Sequence, residues 1–332
     1  MLYILGKNSF IAKNLYIRLK SKITNICLLS HKEINQIHNI NSDDILINCC
    51  GINRSNVFED YNNGNYLLVK KIINIIKIKN PFFLHISSLM VYGFKNKNLS
   101  DISEYKQWFI KTKLKGEEYI QNNYQNYCIA RPSNIYGYSC KPYYNNLLST
   151  MVYEKIKELK CINRINKNCV RNMISIDKVC HEIKNIVNGK KQGIYNIISN
   201  NNVNLRDLCL MLYNGNIPEY IQIEDGSLDV LEIDNKILGE NIIIKENLKE
   251  NIKLLEKNMI NYIYLEENVN VNTLNQLCQP RGNMVEISNL QSKRLYKITL
   301  NQHSVRGNHF HYEQTEEFYN NSGQVTYILA KS

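Results

Sequence analysis

Two segments carry side chains whose types and spacing could act on a carbonyl. Leu84-His85-Ile86-Ser87-Ser88-Leu89-Met90-Val91-Tyr92-Gly93 opens as an apolar run with two hydroxyls at its end, and Phe109-Ile110-Lys111-Thr112-Lys113-Leu114-Lys115-Gly116-Glu117 follows. On a helix, positions 109 and 113 share one face one turn apart, so an amine is expected beside a phenyl ring that has no ionisable group. Tyr105 lies one turn earlier, eight residues from Lys113, which would set its hydroxyl about 6 Å further along the axis. It is a poor stand-in for a hydroxyl at 109.

These residues need elements to hold them. Leu2–Leu5, Ile23–Leu29, Ile45–Cys50, Phe82–Ser87 and Tyr127–Arg131 read as short buried strands. Between them Ile11–Lys20, Tyr66–Lys79, Lys111–Asn122 and Asn145–Lys157 have helical spacing. Strands alternating with helices argue for an α/β fold, a doubly wound parallel sheet covered on both faces. From Cys161 to Ile263 the elements are shorter, with a strand at Ile194–Ile198 and a helix at Asn204–Tyr213 whose N-cap is Asn204. Beyond Val269 the pattern turns to alternating β segments at Met284–Ile287 and Leu295–Leu300, which places a domain boundary near residue 268: 1–268 and 269–332.

Composition narrows the function classes. With 332 residues the chain can bury a large core and hold more than one domain. No run of about 18 apolar residues could span a bilayer, and Met1–Gly6 does not make an export signal. The ten cysteines form no C-x-x-C pair, so they read as reduced thiols of a cytoplasmic protein. The net charge of +11 comes from scattered lysines without an Arg/aromatic patch, which argues against nucleic acid, while a diffuse positive field favours an anionic nucleotide ligand.

The Ser-Ser-x-x-Val-Tyr-Gly strand end and the Phe109-x-x-x-Lys113-x-x-Gly116-Glu117 helix resemble the active-site signature of extended short-chain dehydrogenase/reductases, the sugar-nucleotide epimerase and reductase family. In that signature a Tyr stands where this chain has Phe109. The resemblance implies that Ser88 hydrogen-bonds a substrate carbonyl and that Lys113 holds the nicotinamide ribose. It leaves the proton donor at 109 unassigned, with Tyr92 or a water as alternatives. Gly6-Lys7-Asn8-Ser9-Phe10-Ile11-Ala12 occupies the place of the family's G-x-x-G-x-x-G turn, with Gly6 kept and Ser9 and Ala12 in the other glycine seats. In such a turn glycines allow backbone to approach a pyrophosphate. Leu29-Ser30-His31-Lys32 has no acidic residue for a ribose hydroxyl, and Lys32 could meet a 2′-phosphate, so NADP(H) is expected over NAD(H). Asp44–Arg54 resembles the family's fourth strand and the small-residue loop beside the cofactor, where Gly51 would let backbone pass the ribose. Ala130-Arg131-Pro132-Ser133-Asn134-Ile135-Tyr136-Gly137 and Arg171-Asn172-Met173-Ile174-Ser175-Ile176-Asp177 resemble two further family segments, which imply that Asn134 and Arg171 hold a UDP-sugar, the Arg fork suiting phosphate.

Tyr136–Asn145 and the C-terminal region are similar to the bifunctional reductase–cupin enzymes of capsular polysaccharide synthesis. His309-x-His311-x₄-Glu316-x₆-Gly323 fits the first cupin motif, whose side chains can converge on one metal such as zinc. The second cupin motif is not found before Ser332, so the metal site and the barrel are expected to be incomplete. Taken together, the resemblance implies an NAD(P)-dependent nucleotide-sugar reductase or epimerase acting on a UDP-linked 4-keto-6-deoxy amino sugar, as a homodimer through a helix pair that includes 109–113. Phe109 keeps open a different class: a protein that binds dinucleotide or sugar nucleotide without turnover.

Overall fold

The structure is a computed structural model that describes residues 1–20, 23, 25–93, 102–226, 229–230, 239–268, 276–279, 282–290 and 293–300, without the side chains of 229–230, 261 and 264–300. The three metal-motif residues His309, His311 and Glu316 lie outside the described residues. The chain divides into two compact units, 1–256 and 257–332.

In chain order the first unit runs β1 (Leu2–Leu5), α1 (Phe10–Lys20), β2 (Ile26–Leu29), a 3₁₀ turn (His31–Asn39) and β3 (Ile45–Asn48). Then come α2 (Phe58–Tyr61), a π turn (Asn62–Leu67), α3 (Leu68–Ile76), β4 (Phe82–Ile86), a 3₁₀ turn (Leu89–Tyr92), α4 (Glu104–Asn123) and β5 (Tyr127–Pro132). β6 (Asn134–Tyr136), α5 (Leu147–Ile156), β7 (Arg164–Asn166), β8 (Cys169–Ser175), α6 (Ile176–Asn188) and β9 (Gly193–Ser199) follow. Last are β10 (Asn202–Asn204), α7 (Leu205–Leu212), β11 (Gln222–Glu224), β12 (Asp229–Val230), β13 (Glu240–Ile244) and α8 (Leu248–Asn268), which crosses the unit boundary.

Seven parallel strands form the central sheet in the order β13-β9-β5-β4-β3-β1-β2, the doubly wound architecture expected from the alternating pattern. Both faces are buried, so the strands read as nearly unbroken apolar runs rather than alternating ones. Leu2, Ile4, Leu84 and Ala130 pack on one face with α1 and α6, while Tyr3, Leu5, Phe83 and Ile129 pack on the other with α3 and α4. A smaller sheet, β10-β8-β12 with β6 beside β8, and the parallel pair β11-β7 form the lobe after β5. Asn204 caps α7 as expected, its Oδ1 accepting the Asp207 N–H at 2.7 Å. In the second unit β14 (Gln276–Gln279), β15 (Gly282–Leu290) and β16 (Lys293–Leu300) form an antiparallel sheet, in line with the β segments read there.

Two helices differ from their expected extent. The helix expected at 111–122 begins at Glu104, because no Gly or Pro interrupts the chain before Gly116. The helix expected at 66–79 is preceded by α2 and a π turn through Asn62-Asn63-Gly64-Asn65, residues of low helix propensity.

One buried ion pair ties α4 to the sheet. Arg131 on β5 and Glu117 on α4 are each almost fully buried, joined by Nε–Oε1 at 3.1 Å and Nη2–Oε2 at 2.5 Å. Removing one partner strands the other charge in a medium that cannot solvate it. Glu117→Ala should therefore lower unfolding stability by about 3–5 kcal/mol, measured by urea denaturation, whereas an exposed control such as Glu118→Ala should change little.

Candidate active site

The turn after β1 closes over the loop after β3. Gly6 has φ +99°, and a Cβ there would sit 2.9 Å from the Cys49 carbonyl carbon and 3.1 Å from the Cys50 nitrogen. Glycine is thus required twice, by its conformation and by the backbone it crosses. The Gly6 and Lys7 N–H groups both donate to the Leu29 carbonyl, at 2.8 and 2.9 Å, which pins the turn to β2. Ser9 takes a role the sequence did not indicate: its Oγ accepts the Ala12 N–H at 3.1 Å and caps α1. Its own O–H remains available to donate. The Phe10 and Ile11 N–H groups meet no acceptor among the described residues, so α1 presents free donors at the ends of β1 and β3. There the strand order reverses, the place where open α/β sheets take dinucleotides and where a helix start suits an anion. Ala12 is fully buried against the sheet, with Phe10 and Ile11 half-buried beside it.

Lys32 is exposed in the first turn of the 3₁₀ segment after β2. The nearest acidic group, Glu33, folds back on Ser30, taking its N–H at 2.9 Å and its hydroxyl at 2.7 Å. Those two hydrogen bonds hold its carboxyl below the usual range.

Lys113 and Phe109 lie one turn apart on α4, and both are buried. The Lys113 Nζ donates to the Ile86 carbonyl at 3.3 Å and stands 5.9 Å from the centre of the Phe109 ring. A Cβ on Gly51 would come within 2.9 Å of that amine, so Gly51 clears a path for Lys113 to the loop after β3. Burial pushes Lys113 down to about 8, only partly offset by Glu117 and by the thiols of Cys50 and Cys49. The Phe109 ring packs edge-on to Tyr61, centroids 6.5 Å apart. The Tyr61 hydroxyl accepts the Ser55 N–H at 3.0 Å, and Tyr105 is exposed.

Ser88 caps the 3₁₀ turn after β4, its Oγ accepting the Met90 N–H at 3.2 Å while its O–H stays free to donate. Tyr92 turns the other way. Its hydroxyl receives Arg131 Nη1 at 3.0 Å and Asn196 Nδ2 at 2.8 Å, which sets it in the Glu117–Arg131 network. Asn134 and Arg171 come to neighbouring strands of the smaller sheet, both half-buried. The Asn134 Nδ2 donates to the Asn172 carbonyl at 3.1 Å, and Arg171 Nη1 to the Val170 carbonyl at 2.9 Å.

Two residues escaped the sequence reading. Asn65, fully buried in the π turn, accepts the Ile52 N–H at 2.9 Å and donates to the Ile52 carbonyl and to Thr112 Oγ1, both at 3.2 Å. It fixes the loop beside Lys113 to α4. The polar run Asn62–Asn65 inside an apolar helix pattern was the available signal. His85 is fully buried, its Nδ1 3.0 Å from Asn48 Nδ2. Since Asn48 Oδ1 accepts the Cys50 N–H, Nδ1 must accept, and the ring proton sits on Nε2, which has no partner among the described residues. Burial, then the nearby Lys113 charge, holds this imidazole neutral, well below its usual range.

A buried amine with a depressed pKa opposes folding while it is charged. Between about 8 and 10.5 the unfolded chain binds more protons than the folded one, so stability rises with pH across that window. Lys113→Met removes this burden. It should raise stability at pH 7 by about 3 kcal/mol, the free-energy equivalent of lowering the amine from 10.5 to about 8, with the gain shrinking above pH 8. Urea denaturation at pH 7 and pH 10 checks both parts.

The protein is similar in fold to several solved structures. MoeE5 in complex with UDP-glucose and NAD matches with a TM-score of 0.61 and 12% identity over 79% of this chain and 99% of that one. RMD from Pseudomonas aeruginosa complexed with NADPH matches with a TM-score of 0.57 and 15% identity, over 78% and 99%. A UDP-glucuronic acid 4-epimerase from Bacillus cereus, a tyrosine-to-phenylalanine mutant holding UDP-4-deoxy-4-fluoro-glucuronic acid and NAD, matches with a TM-score of 0.59 and 13% identity, over 79% and 99%. No curated protein matches the sequence. The sequence profile of the NAD dependent epimerase/dehydratase family matches residues 4–197, more than half of the chain, and the chain belongs to that family.

Proposed function

We propose that this protein binds a nicotinamide dinucleotide at the β1–α1 turn and uses it in oxidoreduction or epimerisation of a nucleotide-linked sugar. The observation that carries this reading is the convergence at the ends of β1, β3 and β4. There the Gly6 turn, the free N–H groups opening α1, and the buried Lys113 amine come to neighbouring strand ends. When bound, the dinucleotide supplies or takes the hydride.

Around it each residue has a part. The α1 N-terminus and the Ser9 hydroxyl bind the pyrophosphate. Gly51 and Lys113 hold the nicotinamide ribose. Ser88 donates to the sugar carbonyl, and Asn134 and Arg171 hold the nucleotide end of the substrate. NADP(H) is preferred over NAD(H), because Glu33 is folded onto Ser30 and Lys32 is exposed to receive a 2′-phosphate. The substrate is a UDP-linked 4-keto-6-deoxy amino sugar, reduced at C4, with the C-terminal unit related to cupins. The solved relatives that hold a UDP-sugar with NAD, and the one that holds NADPH, support the ligand class. No helix among the described residues is long and apolar enough to cross a membrane, in keeping with a soluble substrate.

Phe109 favours a second reading, binding without turnover, since loss of a positioned general acid lowers rates by about two to four orders of magnitude. NADPH fluorescence titration separates the first step from the second. The protein should bind NADPH more tightly than NADH, and Lys32→Ala should narrow that preference about tenfold. NADPH oxidation with the UDP-4-keto-6-deoxy-N-acetylhexosamine should be slow, and Phe109→Tyr should raise kcat by at least tenfold with little change in NADPH affinity. Tight NADPH binding with no oxidation by either form would leave the second reading; no binding would refute both.

A further inference from the structure

Resting on that proposed reading, we infer that Lys113 replaces the missing hydroxyl at position 109 and passes the proton to the substrate oxygen itself. Three observations carry it. The Lys113 amine stands 5.9 Å from the centre of the Phe109 ring, on the same face of α4, within reach of the space a hydroxyl at 109 would serve. It is held weakly, by one carbonyl at 3.3 Å, so two of its three N–H directions remain uncommitted. No carboxylate among the described residues hydrogen-bonds it, because Glu117, one turn further on, is bound by Arg131 through both oxygens and offsets its burial only in part.

The tyrosine hydroxyls nearby are engaged elsewhere or exposed, while the Ser87 hydroxyl is buried without a partner among the described residues. Tyr61 accepts from Ser55, Tyr92 lies in the Arg131–Asn196 network, and Tyr105 is on the surface. The groups that face Lys113 from the packed elements are Cys49 and Cys50 after β3, His85 on β4 and Glu117 on α4. Burial holds both thiols in the protonated form, Cys50 at about 11, and His85 is neutral, so none competes for the proton near neutral pH. Burial also brings the amine to about 8, where it exchanges protons readily at working pH.

The step balances. The bound reduced dinucleotide would supply a hydride that bonds to the carbonyl carbon of the sugar. The C=O π pair moves to oxygen, and that oxygen takes a proton from the Lys113 ammonium. The sugar is reduced to an alcohol, the dinucleotide is oxidised, and the neutral amine recovers its proton from solvent. Ser88 donates a hydrogen bond to the same oxygen without losing its proton.

The test uses the full chain and reads three quantities. For the native protein, kcat for NADPH oxidation with the UDP-4-keto-6-deoxy-N-acetylhexosamine should be level below about pH 8 and fall tenfold per unit above it. A ¹³C NMR titration of ¹³Cε-lysine, assigned through loss of one resonance in Lys113→Arg, should show that lysine alone titrating near the same pH. Arginine keeps the cation but holds its proton throughout this range. Lys113→Arg should therefore lose at least a hundredfold in kcat, measured at saturating NADPH. The inference is overturned if Lys113→Arg keeps its turnover, if the alkaline limb is absent, or if the native protein binds NADPH yet oxidises none. Failure to bind NADPH would instead refute the proposed function. The pH profile and the titration are read on the native protein, so the inference stays testable even if the arginine variant misfolds.

Discussion

The position of helix α4 depends on one contact that tolerates no side chain. A Cβ on Gly116 would lie 2.5 Å from the Asn65 carbonyl oxygen, so α4 can lie against the widened turn of the preceding helix only with glycine there. The π turn in turn aims Asn65 at Ile52 and Thr112, which locks the loop after β3 to the helix. Once α4 is set at this distance, Lys113 reaches the β4 carbonyl and the Gly51 backbone, and Glu117 reaches Arg131. The same approach puts Phe109 against Tyr61. A π turn inside a helix often marks a functional position, and here it is the geometric reason the reactive amine stands where it does.

Two buried cations on neighbouring elements are treated in opposite ways. Arg131 is satisfied by Glu117 and by Tyr92, so its charge is balanced and its role is to fasten α4 to β5. Lys113, four residues before Glu117, is denied that partner by the same pair. The low-dielectric surroundings then outweigh the attraction of Glu117 and the Cys50 and Cys49 thiols and bring the amine's proton affinity towards neutrality. An ion pair that reads as structural thus sets the chemistry of the residue next to it. His85, fixed as the neutral Nε2–H tautomer by Asn48, keeps further positive charge away from the same spot.

Much of the architecture was legible from the residues in order. Apolar runs of four to six residues alternating with helical spacing specify a parallel sheet because strands buried on both faces have no solvent side to mark. The pairing of Lys113 with position 109 was legible for a local reason, the helical repeat. Ser88, at a strand end, was legible from its neighbours in the chain. What lay several tens of residues apart was not. Nothing local tells that Gly6 passes under Cys49, that Ser9 is the cap of α1 rather than a filler of a glycine seat, or that Tyr92 belongs to Arg131.

The sequence by itself determined the family, the order of the strands' supporting helices, and the loss of an ionisable group at 109. Each of these is written in residue identity and short-range periodicity. Only the tertiary structure decided which polar groups share a neighbourhood. Asn65 and Lys113 are 48 positions apart, yet meet at Gly51, and Asn134 meets the strand carrying Arg171 by sheet pairing. The protonation behaviour of Lys113 follows from burial and from the partner Glu117 has taken. Burial and partnership are properties of packing across the fold, and no window along the chain contains them.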